Sequence, residues 1–191
     1  MIPLISRRTA AFIFALTLLQ SPFVFAQKPV ETPQLAPVAV PTIAPLSEDV
    51  STIDGIVKAF YETISGPAGM PRQWARDRTL YIQGVRFVST GVSNGKIVAR
   101  VMDHQTYVDW VNDGFVRQGF FEREIGRVTK TFGNITHVFS AYESRLTLNG
   151  PVTGRGVNSI ELFYDGKRWW IAAAAWDDER PDNPIPEELL P

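Results

Sequence analysis

There is no cysteine in this chain of 191 residues. Disulfide staples, thiolate nucleophiles, Cys-ligated zinc and a lipid-modified N-terminal cysteine are thereby excluded. Histidine is scarce too, with two residues, so a multi-histidine metal site has no ligands to draw on. Positive charge is not in excess: 19 Lys and Arg stand against 20 Asp and Glu, a net charge of −1. Without a basic stripe the chain lacks the electrostatic footprint of a nucleic-acid binder. Nothing implies a metal or a cofactor. What is present is ordinary for a globular protein, 45% hydrophobic and 20% charged residues, at a length that fits one domain with extensions.

The N-terminus reads as a secretory leader over residues 1–26. Arg7 and Arg8 form a positive start, residues 9–19 an apolar stretch, and Val24-Phe25-Ala26 a cleavage site before Gln27. The apolar stretch is short for a bilayer span and no stop-transfer pattern follows it. The expectation is an exported chain, periplasmic or secreted, with no integral membrane segment after cleavage. Cleavage removes two of the 19 basic residues and no acid, leaving 17 against 20, a net −3. Residues 27–47 carry prolines at a spacing of four, from Pro29 to Pro45. That spacing predicts an extended, disordered tether. A folded domain is expected over 48–180, followed by a proline-rich tail over 181–191.

The domain is organised around residues 132–178, which read as three strands. Residues 135–146 are rich in β-branched and aromatic side chains, but neither parity is purely apolar, so both faces should meet protein or a cavity. Asn149-Gly150 turns the chain into a second strand at about 156–164. Asp165-Gly166, between two β-rich runs, is a strong hairpin signal. The third strand starts at Arg168 and runs through four alanines, Ala172–Ala175, to Trp176. Alanine favours helix, but the turn and the flanking tryptophans leave no room for one. Small side chains there would leave space above the sheet.

Upstream, Ser51 should cap a helix whose apolar face holds Ile53, Val57, Phe60, Tyr61 and Ile64. Gly66-Pro67 ends it, and Pro71 can open a short helix anchored by Trp74. Short strands at 79–83 and 96–102 flank a glycine-punctuated stretch, 84–95, that reads as a loop or an irregular hairpin. Asp103 caps a third helix, stopped by Gly119. A strand at about 120–131 follows. This order predicts an α+β fold: a bent antiparallel sheet, three helices on its concave side, and a cone with an open mouth.

The pattern resembles the nuclear transport factor 2-like superfamily, within the cystatin-like α+β roll. The likeness spans roughly residues 50–178. It rests on the first helix preceding a Trp74-bearing short helix, and on Asp165-Gly166-Lys167-Arg168-Trp169-Trp170-Ile171. It implies a cone-shaped pocket. The superfamily includes ketosteroid isomerase, limonene epoxide hydrolase, SnoaL-like cyclases and non-enzymatic binding modules. It also implies a homodimer through the outer sheet face. No catalytic set of those enzymes matches here residue by residue.

Three residues are candidates for acid–base chemistry. His104 lies in the first turn of the third helix, where the helix dipole favours a neutral ring. His137, Glu143 and Arg145 share one face of a strand, where residues two apart stand about 6–7 Å from each other. A Glu143 facing apolar walls would have a raised pKa and serve as general acid or base. On a solvated or dimer-facing surface it would instead pair with arginine. Trp74, Tyr81, Tyr107, Trp110 and Trp176, with Arg145, are candidates to line a pocket for a small apolar or aromatic molecule. Glu122 and Glu124 share a face opposite Arg123 and are expected to be solubilising charges on an exposed strand. The reading that leads is a small-molecule binding protein. A cofactor-free lyase, isomerase or hydrolase is the alternative, and a homodimeric interaction module is a further one. N-terminal sequencing of the exported protein should return Gln27 as the first residue; a protein that keeps Arg7 and Arg8 would refute the leader.

Overall fold

The alanine run is extended. In the computed structural model, which describes residues 36–190, Ala172–Ala175 lie within a strand, and that strand is interior to the sheet. Four helices and six strands follow one another: α1 (Ser47–Val50), α2 (Ile53–Ile64), α3 (Trp74–Arg78), β1 (Tyr81–Ser93), β2 (Lys96–Met102), α4 (His104–Gln118), β3 (Phe121–Phe132), β4 (Ile135–Arg145), β5 (Val152–Tyr164) and β6 (Trp169–Asp178), then a 3-10 turn at Glu187–Leu189. The sheet order is β2-β1-β6-β5-β4-β3, with every pair antiparallel except β1 and β6. The fold is therefore α+β, a curled, unclosed sheet with helices in its hollow. Irregularities in register at Tyr81/Arg86, Glu124/Gly126, Ser144/Arg145 and Glu161/Leu162 bend it.

Helix α2 fills the deep end of the curl. Ile56, Val57, Phe60 and Ile64 are buried against Val138, Ile160, Leu162 and Ile171 of the sheet. Its cap is Thr52, not Ser51: the Thr52 hydroxyl accepts from the Gly55 amide at 2.9 Å. A one-turn helix, α1, precedes it, which makes four helices rather than three among the described residues. Asp103 caps α4 through the Thr106 amide at 2.8 Å, and Gly119 ends it with φ of 80°.

Of the two readings of 84–95, the hairpin is observed: β1 runs through the stretch to Ser93, with an irregularity between Tyr81 and Arg86. Asn94-Gly95, with φ of 51° and 71°, makes a two-residue hairpin turn into β2. Strand β5 begins at Val152, four residues before its expected start. The leader and the first part of the proline-spaced segment lie outside the described residues. Residues 36–46 have no regular structure, as the prolines dictate, but they are docked. The Val38 amide donates to Asp109 Oδ1 at 2.7 Å, its carbonyl accepts from Gln105 at 2.9 Å, and Val38 and Val40 pack on the core. Among the described residues no helix is long and apolar enough to cross a membrane.

The tail returns along the outer sheet face. Ile185 and Leu189 are buried against Ala141 and against Ile125, Val128 and Val157. Gly126 permits this, since a Cβ there would stand 2.2 Å from the Leu189 carbonyl oxygen. The homodimer expected through the outer face would have to use the part the tail leaves bare, around Phe132, Ile135 and Phe139. Leu189→Ala should cost about 2–4 kcal/mol in denaturant unfolding. Gly126→Val should cost at least as much, because a backbone carbonyl must move. Losses under about 0.5 kcal/mol for both would mean the tail is not part of the fold.

Candidate functional site

Alternation along β4 decides which side chains see the hollow. Val138, Ser140, Tyr142 and Ser144 point inward. His137, Ala141, Glu143 and Arg145 therefore point outward, because successive residues of a strand face opposite ways. The inward set opens into a cavity of about 440 Å³ between the sheet, α2 and α4, a size that suits a small molecule. Eight aromatic side chains line it, Tyr107, Trp110 and Trp176 among them. Tyr107 stacks on Phe87 at 4.8 Å and meets Trp176 edge-on at 5.9 Å. Trp110 is 44% exposed and stands at the mouth. Gly114 of α4 also lines the wall; a Cβ there would meet nothing within 4 Å.

The polar part of the cavity is a ladder across neighbouring strands. The Tyr142 hydroxyl donates to Asp178 Oδ1 at 2.6 Å. It crosses Gly156 to do so, and a Cβ at Gly156 would sit 2.4 Å from the Tyr142 oxygen. Burial first, then the Asp178 hydrogen bond and charge, raises the Tyr142 phenol far above its usual range. One step deeper, Asn158 donates to the Tyr61 hydroxyl at 3.2 Å. Tyr61 bonds to Ser140 at 2.7 Å, and Ser140 donates to Glu124 Oε1 at 2.6 Å. Glu122 completes the set. Burial raises its carboxyl to about 8, partly offset by the Asn158 amide, and the nearby Asp178 adds to the rise. At neutral pH it is mainly a carboxylic acid that can donate a hydrogen bond. Near pH 8 it is poised to give or take a proton.

Glu122 and Glu124 are therefore not surface charges: the strand turns both toward the hollow, a correction to the reading of this pair. Period-two spacing from Phe120 carried that signal, but no apolar neighbour on the strand fixed which parity was inner.

The other candidates are dispersed. Tyr107, Trp110 and Trp176 come together in the cavity. Trp74 lies behind Tyr107, its indole N–H donating to Asn112 Oδ1 at 2.7 Å. Tyr81 is buried, its hydroxyl donating to Asp77 Oδ1 at 3.0 Å. His104 shares that cluster, with Nε2 at 2.8 Å from Asp77 Oδ2, and does not line the cavity. His137 is on the outer face, 2.9 Å from Ser159 Oγ. Glu143 and Arg145 are on that face too. Glu143 Oε1 accepts from Arg145 at 2.5 Å and from Arg123 at 2.7 Å, and these guanidiniums hold the carboxyl below its usual range. The rise expected for an apolar environment is reversed because the walls are cationic. His104, His137 and Glu143 thus share no cavity. Among the described residues no group of three or more His, Asp or Glu side chains is placed to hold a metal ion.

No protein-family model matches the chain, and no curated protein matches it. Solved structures do. A protein with a cystatin-like fold from Nostoc punctiforme is 8% identical, with a TM-score of 0.48 over 71% of this chain and 98% of that one. A nuclear transport factor 2-like protein from Methylobacillus flagellatus is 13% identical, with a TM-score of 0.44 over 69% and 99%. A putative ketosteroid isomerase from Parabacteroides distasonis is 12% identical, with a TM-score of 0.45 over 70% and 98%. These are the kinds of protein named by the sequence resemblance, and the likeness is one of fold.

The Glu122 carboxyl titrates near 8 when folded and near 4.5 when unfolded. Between those values the folded chain holds a proton that the unfolded chain has lost, so stability falls as pH rises across that window. Glu122→Gln should flatten the fall, which is at most about 1.4 kcal/mol per pH unit. Urea unfolding midpoints from pH 5 to 9 measure it; a wild type that gains stability relative to the variant would reverse the assignment.

Proposed function

We propose that the protein binds a small, apolar or aromatic molecule carrying one polar group, with the body among the cavity's rings and the polar group at Glu122 and Tyr142–Asp178. The observation that carries this reading is a carboxyl raised to about 8 inside an aromatic cavity of about 440 Å³. A pocket with a few convergent polar groups and a perturbed acid is the usual form of a small-molecule site. The leader read at residues 1–26 supports a site of action outside the cytoplasm. A second reading, proton transfer without a cofactor, is favoured by the same carboxyl, whose pKa lies close to an operating pH. It moves the acid–base role from the histidines and Glu143 to Glu122.

Gly114 supplies the test. A glycine inside a helix costs roughly 0.5–1 kcal/mol relative to alanine, and the space beside this one is empty. Gly114→Phe should fold, place a ring in the cavity and abolish binding. A thermal-shift and tryptophan-fluorescence screen of aromatic compounds should find ligands for the wild type that the variant no longer binds. Compounds that bind both proteins equally, or a folded wild type that binds none, would reject the reading. For the second reading, solvent-deuterium incorporation into a bound carbonyl compound should vanish in Glu122→Gln.

A further inference from the structure

The cavity wall is unbalanced in charge. Glu122 and Asp178 line it, and no Lys, Arg or His does. Other groups near Glu122 are neutral or acidic: Tyr61 and Glu62 of α2, Tyr107 of α4, Tyr142 of β4, and Glu124 on its own strand. The guanidiniums close by are committed elsewhere. Arg123 and Arg145 hold Glu143 on the outer face. Arg127 pairs with Asp54 and lies 3.6 Å from Glu124. Arg72 donates to the Gly66 and Phe115 carbonyls at 2.8 and 2.5 Å. Glu122 is a carboxyl at an apolar wall without a counter-ion, and such a group is costly to ionise; Asp178 stands at the exposed rim beside it.

The rings complete the environment, because the face of an indole or phenol attracts a cation. Trp110 at the mouth already holds one, with the Arg100 guanidinium carbon 4.7 Å from its ring centroid.

We propose that the ligand of this cavity is an organic cation, an ammonium with an apolar or aromatic body, whose charge sits between Asp178 and Glu122. This deepens the binding reading above and rests on it. The cation supplies the missing counter-ion, and its arrival drives a proton off Glu122, since the carboxyl is raised to about 8 when the cavity holds no positive charge. Binding is consequently linked to proton release, and it strengthens as pH rises toward that value. An anionic ligand meets two carboxyls on a wall that carries no Lys, Arg or His, and is rejected.

A matched pair of probes separates charge from shape. Benzyltrimethylammonium carries a fixed positive charge; neopentylbenzene has the same outline and none. Titration of the full chain, followed by tryptophan fluorescence and calorimetry, should show the cation binding roughly tenfold or more tightly than its isostere at about pH 8.5. Its affinity should decline toward about pH 6.5. Calorimetry at pH 7 in buffers of different ionisation enthalpy should show release of close to one proton per cation bound, following from the carboxyl's value of about 8. Glu122→Gln should fold, lose the proton release and lose the pH dependence. If the isostere binds as tightly as the cation at every pH, the cation proposal fails and the binding reading stands. If neither probe binds the folded wild type, and the aromatic screen finds no ligand that Gly114→Phe excludes, both fail. Cation binding with no proton release, unchanged in Glu122→Gln, overturns the role given to Glu122.

Discussion

A single buried phenol sets the depth of the cone. Tyr61 reaches from α2 into the curl of the sheet, where its hydroxyl meets Ser140 of β4 and Asn158 of β5. With Ser140 donating onward to Glu124, the chain of donors runs from β5 through the helix to β4 and β3. Each member is buried or partly buried, so breaking one bond would strand a desolvated polar group at roughly 1–3 kcal/mol. This fixes how far α2 enters the hollow. The apolar face of the helix seals the deep end, and the space toward α4 opens beyond Phe60 and Ile64, which line it. The same Asn158 that steadies Tyr61 also moderates Glu122, so the scaffold and the site share a residue.

Two glutamates on neighbouring strands show how position, not residue type, decides chemistry. Glu143 points outward and is held by Arg123 and Arg145, which lower its pKa. Glu122 is one residue from Arg123 in sequence and faces the other way, where burial raises it. A period of two places them on opposite sides of one sheet. The outer face is paired, polar at His137 and Glu161, and partly covered by Ile185 and Leu189. The inner face leaves Glu122 and Asp178 without a cation on the cavity wall. Function is expected where that compensation is withheld.

Much of the fold was legible before any coordinate. The alanine run extended as a strand, the Asp165-Gly166 turn, the Asp103 cap and the Gly119 stop all follow from local rules, and all are observed. Asn94-Gly95 carried an equally strong hairpin signal, but the other glycines of its stretch left a loop open as the alternative. The site was harder to read. Neither parity of β4 is apolar, and both faces are in fact covered, one by the helices and the cavity, the other in part by the tail. Without one wet face, alternation cannot say which way is in. The polar outer residues His137, Glu143 and Arg145 therefore stood out, while Tyr142 and Glu122 looked unremarkable. His104 was placed correctly at its helix start, but its partner Asp77 lies 27 residues away on another helix, a distance no local pattern bridges.

The cavity is not a lapse in packing. Around it the rings are ordered against one another: Phe115 stacks on Phe120 at 3.9 Å, and Tyr107 is held between Phe87 and Trp176. A void left by poor complementarity would have loose walls, and small residues scattered at random around it. Here the small residues have separate uses. Gly156 lets Tyr142 reach Asp178, and Gly114 keeps α4 from filling the hollow, at a cost in helix propensity of up to about 1 kcal/mol. An alanine at 114 would be accepted without strain, so the backbone does not demand glycine there. What distinguishes the position is the space itself, lined with rings and with two acids that no cation on the wall pairs.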